Sequence, residues 1–269
     1  MFSIEFVNNT FAQNYSECYE SIKHDILIFI ETEKDSLNYT KKHVIDFFVI
    51  ETNNVQLIDA FIKESKLSAS IFEIYIAAAK SGNVDMMNYA KNNGCIWTAK
   101  VCLWAAKNGH VQILEWVKKE KGIYDPSLAW EFRPNLYLFA ACEGHINVLE
   151  WGINNGILID SLIVAYAASR GKHHVINWCI KHDIEIPEIA YKRATEYDHI
   201  YTLEYMNSIQ QPYDYDCVSE MAAFYGKVRA LEWLDSHNYT YDINRCISLA
   251  DSRGHQNIID YLMQKNIMQ

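Results

Sequence analysis

Proline and glycine are scarce in this 269-residue chain, at four and ten. No stretch gathers them with serine into a linker, so no compositional break marks off independent domains. Cysteine forms no CxxC pair. The seven thiols, Cys18, Cys95, Cys102, Cys142, Cys179, Cys217 and Cys246, are an odd and scattered set, which argues against a zinc knuckle or a disulfide framework and for reduced intracellular thiols. Long apolar runs are missing as well. The opening residues Met1 to Glu5 carry no basic segment, and the longest aliphatic run nearby is Ile26 to Ile30, too short for a signal core or a membrane span. No dense Lys/Arg run offsets the formal net charge of -10. A chain so charged repels phosphate backbones on average, and neither a nucleic-acid nor a membrane partner is expected.

Catalytic signatures are absent too: there is no G-x-S-x-G, H-E-x-x-H, P-loop or dinucleotide fingerprint, and no cysteine in an activating pattern. The sequence therefore predicts a protein that is not an enzyme, with no catalytic residue, no metal site and no cofactor. What is present is half apolar and 22% charged, the composition of an ordered, folded chain.

Along most of its length the chain repeats itself. A small-residue pair, two variable residues and a glycine recur at Ala78-Ala79-Lys80-Ser81-Gly82, Ala105 to Gly109, Ala140 to Gly144, Ala167 to Gly171 and Ala222 to Gly226. Weaker copies stand at Ala194 to Asp198 and Ala250 to Gly254. Taking the last residue of each copy as a marker, the steps are 27, 35, 27, 27, 28 and 28 residues, so about eight residues are inserted between the second and third copies.

After each marker the pattern stays in phase. Four and five residues on stand Met86 and Met87, Ile113 and Leu114, Val148 and Leu149, Val175 and Ile176, Thr202 and Leu203, Ala230 and Leu231, Ile258 and Ile259. Seven on comes an aromatic every time: Tyr89, Trp116, Trp151, Trp178, Tyr205, Trp233, Tyr261. These positions share one face of a helix and are expected to be buried. Six on, Asn88, Glu115, Glu150, Asn177, Glu204, Glu232 and Asp260 fall on the opposite face, expected to meet water. A second helix precedes each marker, with Ile74, Val101, Leu136, Ile163, Ala190, Val218 and Cys246 eight residues upstream. Twelve or thirteen after it, Gly94, Gly122, Gly156, Asp183, Gln210, Asn238 and Asn266 are expected to end the second helix, most of them by a left-handed turn. A helix-turn-helix unit of this length cannot bury its apolar faces alone, so the units must stack.

The unit Ala105 to Trp116, with its copy ending Gly144-His145-Ile146-Asn147-Val148-Leu149-Glu150-Trp151, closely resembles the ankyrin repeat. The match is to the two-helix core; the usual Thr-Pro-Leu-His opening is replaced by stretches such as Val101-Cys102-Leu103-Trp104, and the unit is about six residues shorter than the ordinary ~33. The resemblance implies an all-α solenoid of stacked helix-turn-helix repeats with truncated hairpin fingers. Asn93-Gly94-Cys95-Ile96-Trp97 is further similar to repeat families expanded in giant DNA viruses of amoebae. Such families are read as protein-interaction modules, which implies an intracellular scaffold, in the host cytoplasm if viral, acting on a host or viral protein. The repeat array is expected over 51-269, with one degenerate and about seven recognisable repeats, and residues 1-50 as a cap of degenerate helices.

If stacking fixes the repeated rows, binding belongs where repeats differ. The two residues before each marker vary in charge and size, and the resemblance places that slot toward a concave groove. Lys107, Asn108, Arg170, Tyr197, Phe224, Tyr225 and Arg253 are its candidate partner-binding residues. The insertion, 123-134, adds Tyr124, Trp130, Phe132 and Arg133, residue types that dominate interface energetics. Local packing is the alternative for both regions. His110, His145, His199 and His255 share the slot directly after the marker, which predicts local hydrogen bonds at the start of the second helix rather than a metal site. Rival readings are a self-assembling structural component and a nucleic-acid-binding helical repeat, the latter disfavoured by charge.

Overall fold

The computed structural model describes residue 55 and residues 71-94, 98, 100-121, 132-209 and 215-268. Among them every regular element is an α-helix. None of these helices is long and apolar enough to cross a membrane. The expected cap at 1-50, Cys95 to Trp97, and the insertion as far as residue 131 lie outside the described residues, and of the degenerate repeat before residue 71 only Val55 is described, as helical.

Two compact units divide the chain, one of Met1–Ala105 with Gln112–Leu128, the other of Ala106–Val111 with Ala129–Gln269. The first holds α1 (Ile71–Ser81), α2 (Val84–Asn92) and the greater part of α3 (Lys100–Lys107) and α4 (Val111–Lys121). There α1 packs on α2, and Tyr75 of α1 meets Trp116 of α4 with ring centroids 6.1 Å apart.

The second unit holds five helix pairs: α5 (Phe132–Glu143) with α6 (Ile146–Asn154), α7 (Leu162–Ala168) with α8 (His173–Lys181), α9 (Glu188–Glu196) with α10 (Ile200–Ile209), α11 (Asp216–Tyr225) with α12 (Val228–Ser236), and α13 (Ile243–Arg253) with α14 (Gln256–Met268). Within each pair the two helices pack together; between pairs, α5, α7, α9, α11 and α13 form one packed series, and α10, α12 and α14 another. The alanine pairs make the first series possible. Ala140, Ala141, Ala167, Ala168, Ala222 and Ala223 are fully buried, and a methyl is small enough to let neighbouring helices close up.

The turn inside each pair follows from the same short motif. Gly226 holds φ at +70°, and the next N–H, of Lys227, donates to the carbonyl of Ala222 at 2.8 Å, the six-to-one bond of a helix stop that needs a left-handed residue. Asp198 takes the same conformation, φ 59°, at the one marker that is not glycine. Second helices end alike at Gly94, Gly156, Asp183 and Asn238, all with positive φ. Asn266 is different: it lies inside α14, which runs on to Met268. Asparagine tolerates a helix interior at modest cost, so its left-handed use at Asn238 is imposed by the fold-back in which Tyr239 N–H reaches the Leu234 carbonyl at 3.0 Å.

The aliphatic rows expected to be buried are buried, and the aromatic row is buried at its four tryptophans but only half-buried at Tyr89, Tyr205 and Tyr261. From Met86 and Met87 through Leu231 and Ile258, side chains four and five residues past the marker are almost wholly shielded, each large one contributing about 1.5–3 kcal/mol. At the end of the insertion, helix α5 begins at Phe132, so Phe132, Arg133 and Pro134 lie in its first turn. Proline fits there because first-turn N–H groups have no intrahelical acceptor.

Candidate binding face

At His145, His199 and His255 the histidine slot bonds across repeats. His145 Nε2 donates to the Lys107 carbonyl at 2.9 Å, His199 Nε2 to Ser169 at 3.0 Å and His255 Nε2 to Phe224 at 2.9 Å. Each acceptor lies two residues before the marker of the preceding unit. A carbonyl oxygen only accepts, so Nε2 carries the hydrogen in all three. Local capping is seen where the slot is Asn83, whose side chain accepts the Met86 N–H at 2.8 Å; the longer imidazole reaches the preceding helix pair, and His145 makes no cap bond.

A second row of donors, three residues past the marker, reaches the preceding marker's own carbonyl. Gln112 bonds Gly82 at 3.3 Å, Asn147 bonds Gly109 at 2.7 Å, His174 Nε2 bonds Gly144 at 2.9 Å and Asn257 bonds Gly226 at 3.2 Å. Where the marker is Asp198, the donor is Arg229, on its carboxylate at 3.0 Å. His173, shielded by burial first and then facing His199 and His174, has its imidazole held below its ordinary range; it lies 2.9 Å from Thr202 Oγ1 and stacks on Tyr205.

The acidic row also does more than face water. Trp116 Nε1 donates to Asn88 at 2.7 Å and Trp233 Nε1 to Glu204 at 2.6 Å, and Trp178 Nε1 donates to Glu150. His237 Nδ1 donates to the Trp233 carbonyl at 2.9 Å while its Nε2 stands 3.1 Å from the same Glu204. The row stays largely exposed, as expected, yet one oxygen of each bonded residue serves the next repeat's indole. A buried tryptophan needs an acceptor for its N–H, and the neighbouring repeat supplies it.

These ladders pin the backbone beneath the face that carries the candidate residues. Lys107 lies 4.0 Å from Glu143, and Asn108 is exposed. Arg170 is exposed beside the Cys142 thiol, whose pKa burial raises and Arg170 partly restrains. Tyr197 is half exposed and Tyr225 38% exposed. Phe224 is covered: the Arg253 guanidinium lies 3.8 Å from its ring centre and Tyr225 meets it edge-on at 4.9 Å. The structure thus gathers Phe224, Tyr225 and Arg253 into one cluster and sets Arg170 and Tyr197 in the same slot just past the ends of α7 and α9. Tyr124 and Trp130 lie outside the described residues, and of Phe132 and Arg133 only the helical backbone is described.

Sequence reasoning missed the continuation of this face toward the helix starts. Phe139 and Tyr166, five residues before their markers, are 40% and 41% exposed, and Leu162, nine before, is 47% exposed. Residues one, five and nine before a marker are successive turns of one helix face, so extending the variable slot backward by four would have found them. Leu158, in the connection before α7, is 97% exposed. Cys102 and Cys179 belong to the core; burial pushes both thiols up to about 12. The described residues contain no cluster of three or more metal-ligating side chains. No family model and no curated protein matches the chain.

Proposed function

We propose that the chain is a solenoid of shortened ankyrin-type repeats that acts as an intracellular scaffold, binding another protein on the face formed by residues one, five and nine before each marker. One observation carries the reading: aromatic and apolar side chains, Tyr166, Leu162, Tyr197 and Tyr225 among them, stand exposed on helices whose backbone is held by hydrogen bonds from the next repeat. Exposed aromatics on a preorganised surface are what interface anchors look like, since little entropy is lost when such a surface is occupied. The reading assigns the chain no reaction and no cofactor.

A pull-down from the native cell or host with wild type and a Tyr166→Ala/Tyr197→Ala/Tyr225→Ala variant tests it, with circular dichroism confirming that the variant is folded. The expected outcome is loss of one or more specific partners. An unchanged partner set, or concentration-dependent self-association by light scattering with no partner at all, would reject it in favour of another surface or of a structural assembly.

A further inference from the structure

We propose that Arg170, Tyr197, Tyr225 and Arg253, all one residue before the marker, the first two just past the ends of α7 and α9 and the last two closing α11 and α13, form a site for an extended acidic segment of a partner protein. Its carboxylates would meet the two arginines and its apolar side chains the two tyrosines. The inference rests on the protein-binding reading above and names the chemistry of the partner.

The arginines single out this row. Among the arginines whose side chains are described, Arg193, Arg229 and Arg245 each pair with a carboxylate, of Glu196, Asp198 and Glu220. Arg170 and Arg253 have no carboxylate within ion-pair distance among the described residues. Arg253 instead lies over Phe224, and a guanidinium stacked on a ring still has its N–H groups for a bidentate acceptor. The carboxylates on the same face are already engaged, Glu143 by Lys107 and Glu196 by Arg193. The molecule's net charge of -10 is screened beyond about 8 Å at physiological salt, so each guanidinium group governs what docks beside it.

Geometry sets the length. First helices of neighbouring repeats pack in sequence from α7 to α13. At an interaxial distance of 8–10 Å per step, three steps span roughly 24–30 Å, which an extended chain covers in about eight residues. The occupant should therefore carry acidic side chains about seven or eight residues apart with apolar ones between. His199 and His255, bonded to the carbonyls of Ser169 and Phe224, hold the backbone next to Arg170 and Tyr225, so the row is formed before anything binds.

Selection of a random twelve-residue peptide display library on the full-length chain tests the proposal. The recovered pool is expected to be enriched in Asp and Glu at about that separation. A synthetic peptide from it should lose affinity at least about tenfold against Arg170→Glu/Arg253→Glu, with a control at an exposed residue of α8, Lys181→Glu, near wild type. A pool without acidic enrichment, equal affinity for the double variant, or competition of the peptide by a single-stranded RNA with stronger salt dependence would overturn it. If the partner captured in the pull-down is lost with the tyrosine variant but retained by Arg170→Glu/Arg253→Glu, the scaffold reading stands and the acidic-segment assignment fails.

Discussion

Gly226 and Gly254 share a left-handed backbone, φ +70° and +71°, but not a neighbourhood. A Cβ built on Gly226 would lie 2.8 Å from Nδ1 of His255, whereas on Gly254 it would meet nothing within 4 Å. Alanine at Gly254 costs only the strain of the left-handed conformation, about 1–2 kcal/mol. Alanine at Gly226 adds a clash with an imidazole that cannot swing away without giving up its bond to Phe224. Gly226→Ala is therefore expected to be the more destabilising by about 1 kcal/mol or more. Urea unfolding of both variants, with equal m-values, checks the order; equal losses would mean that the histidine moves freely.

Helix pairs are joined by polar bonds as well as by apolar rows. Glu204 accepts the Trp233 indole N–H at 2.6 Å and faces His237, yet its side chain is about half exposed, so the bond's net worth is modest, about 1 kcal/mol. Glu204→Gln keeps an acceptor and should be close to neutral. Glu204→Ala should cost about 1 kcal/mol, and most of that cost should vanish in a Trp233→Phe background, where no N–H awaits a partner. Additive losses in the double-mutant cycle would show the bond to be unimportant.

The same element shows how far the sequence could be read. Helical periodicity exposed the buried rows of Val175, Ile176 and Trp178, and the alanine pairs, because burial leaves a pattern in the kind of residue used. Glu204, His255 and Asn257 left no such pattern. A glutamate that accepts from a tryptophan in the next repeat looks, in sequence, like any solvated residue, since the bond depends on the register of two helices joined 29 residues apart. The fit of Gly152 under Tyr137 was hidden for a related reason. A Cβ on Gly152 would come within 2.4 Å of the tyrosine ring, and a size match between two different helices has no period to betray it. The exposed run of Phe139, Leu162 and Tyr166 was legible in principle, through a four-residue step from the variable slot.

In the larger unit, substantial helix packing joins only partners within a pair and neighbours between pairs. Stability in such an arrangement is a sum of local terms, and a defect should stay near its origin. Ala222 of α11 is wholly buried in a helix that packs on α9, α12 and α13, so Ala222→Leu forces extra methylenes into a closed gap at a cost of about 1–3 kcal/mol. Amide exchange should then accelerate in α9 to α14, by about tenfold for each 1.4 kcal/mol lost. Protection in α5 and α6, three helix pairs away, should change little. If α5 and α6 accelerate as much as α11, the unit opens as one body, and a surface running across α7 to α13 is either formed whole or not formed at all. If they do not, the ends of the row can open separately, and a bound segment touching both Arg170 and Arg253 would restore protection to both ends together, linking occupancy of the face to the cohesion of the helices beneath it.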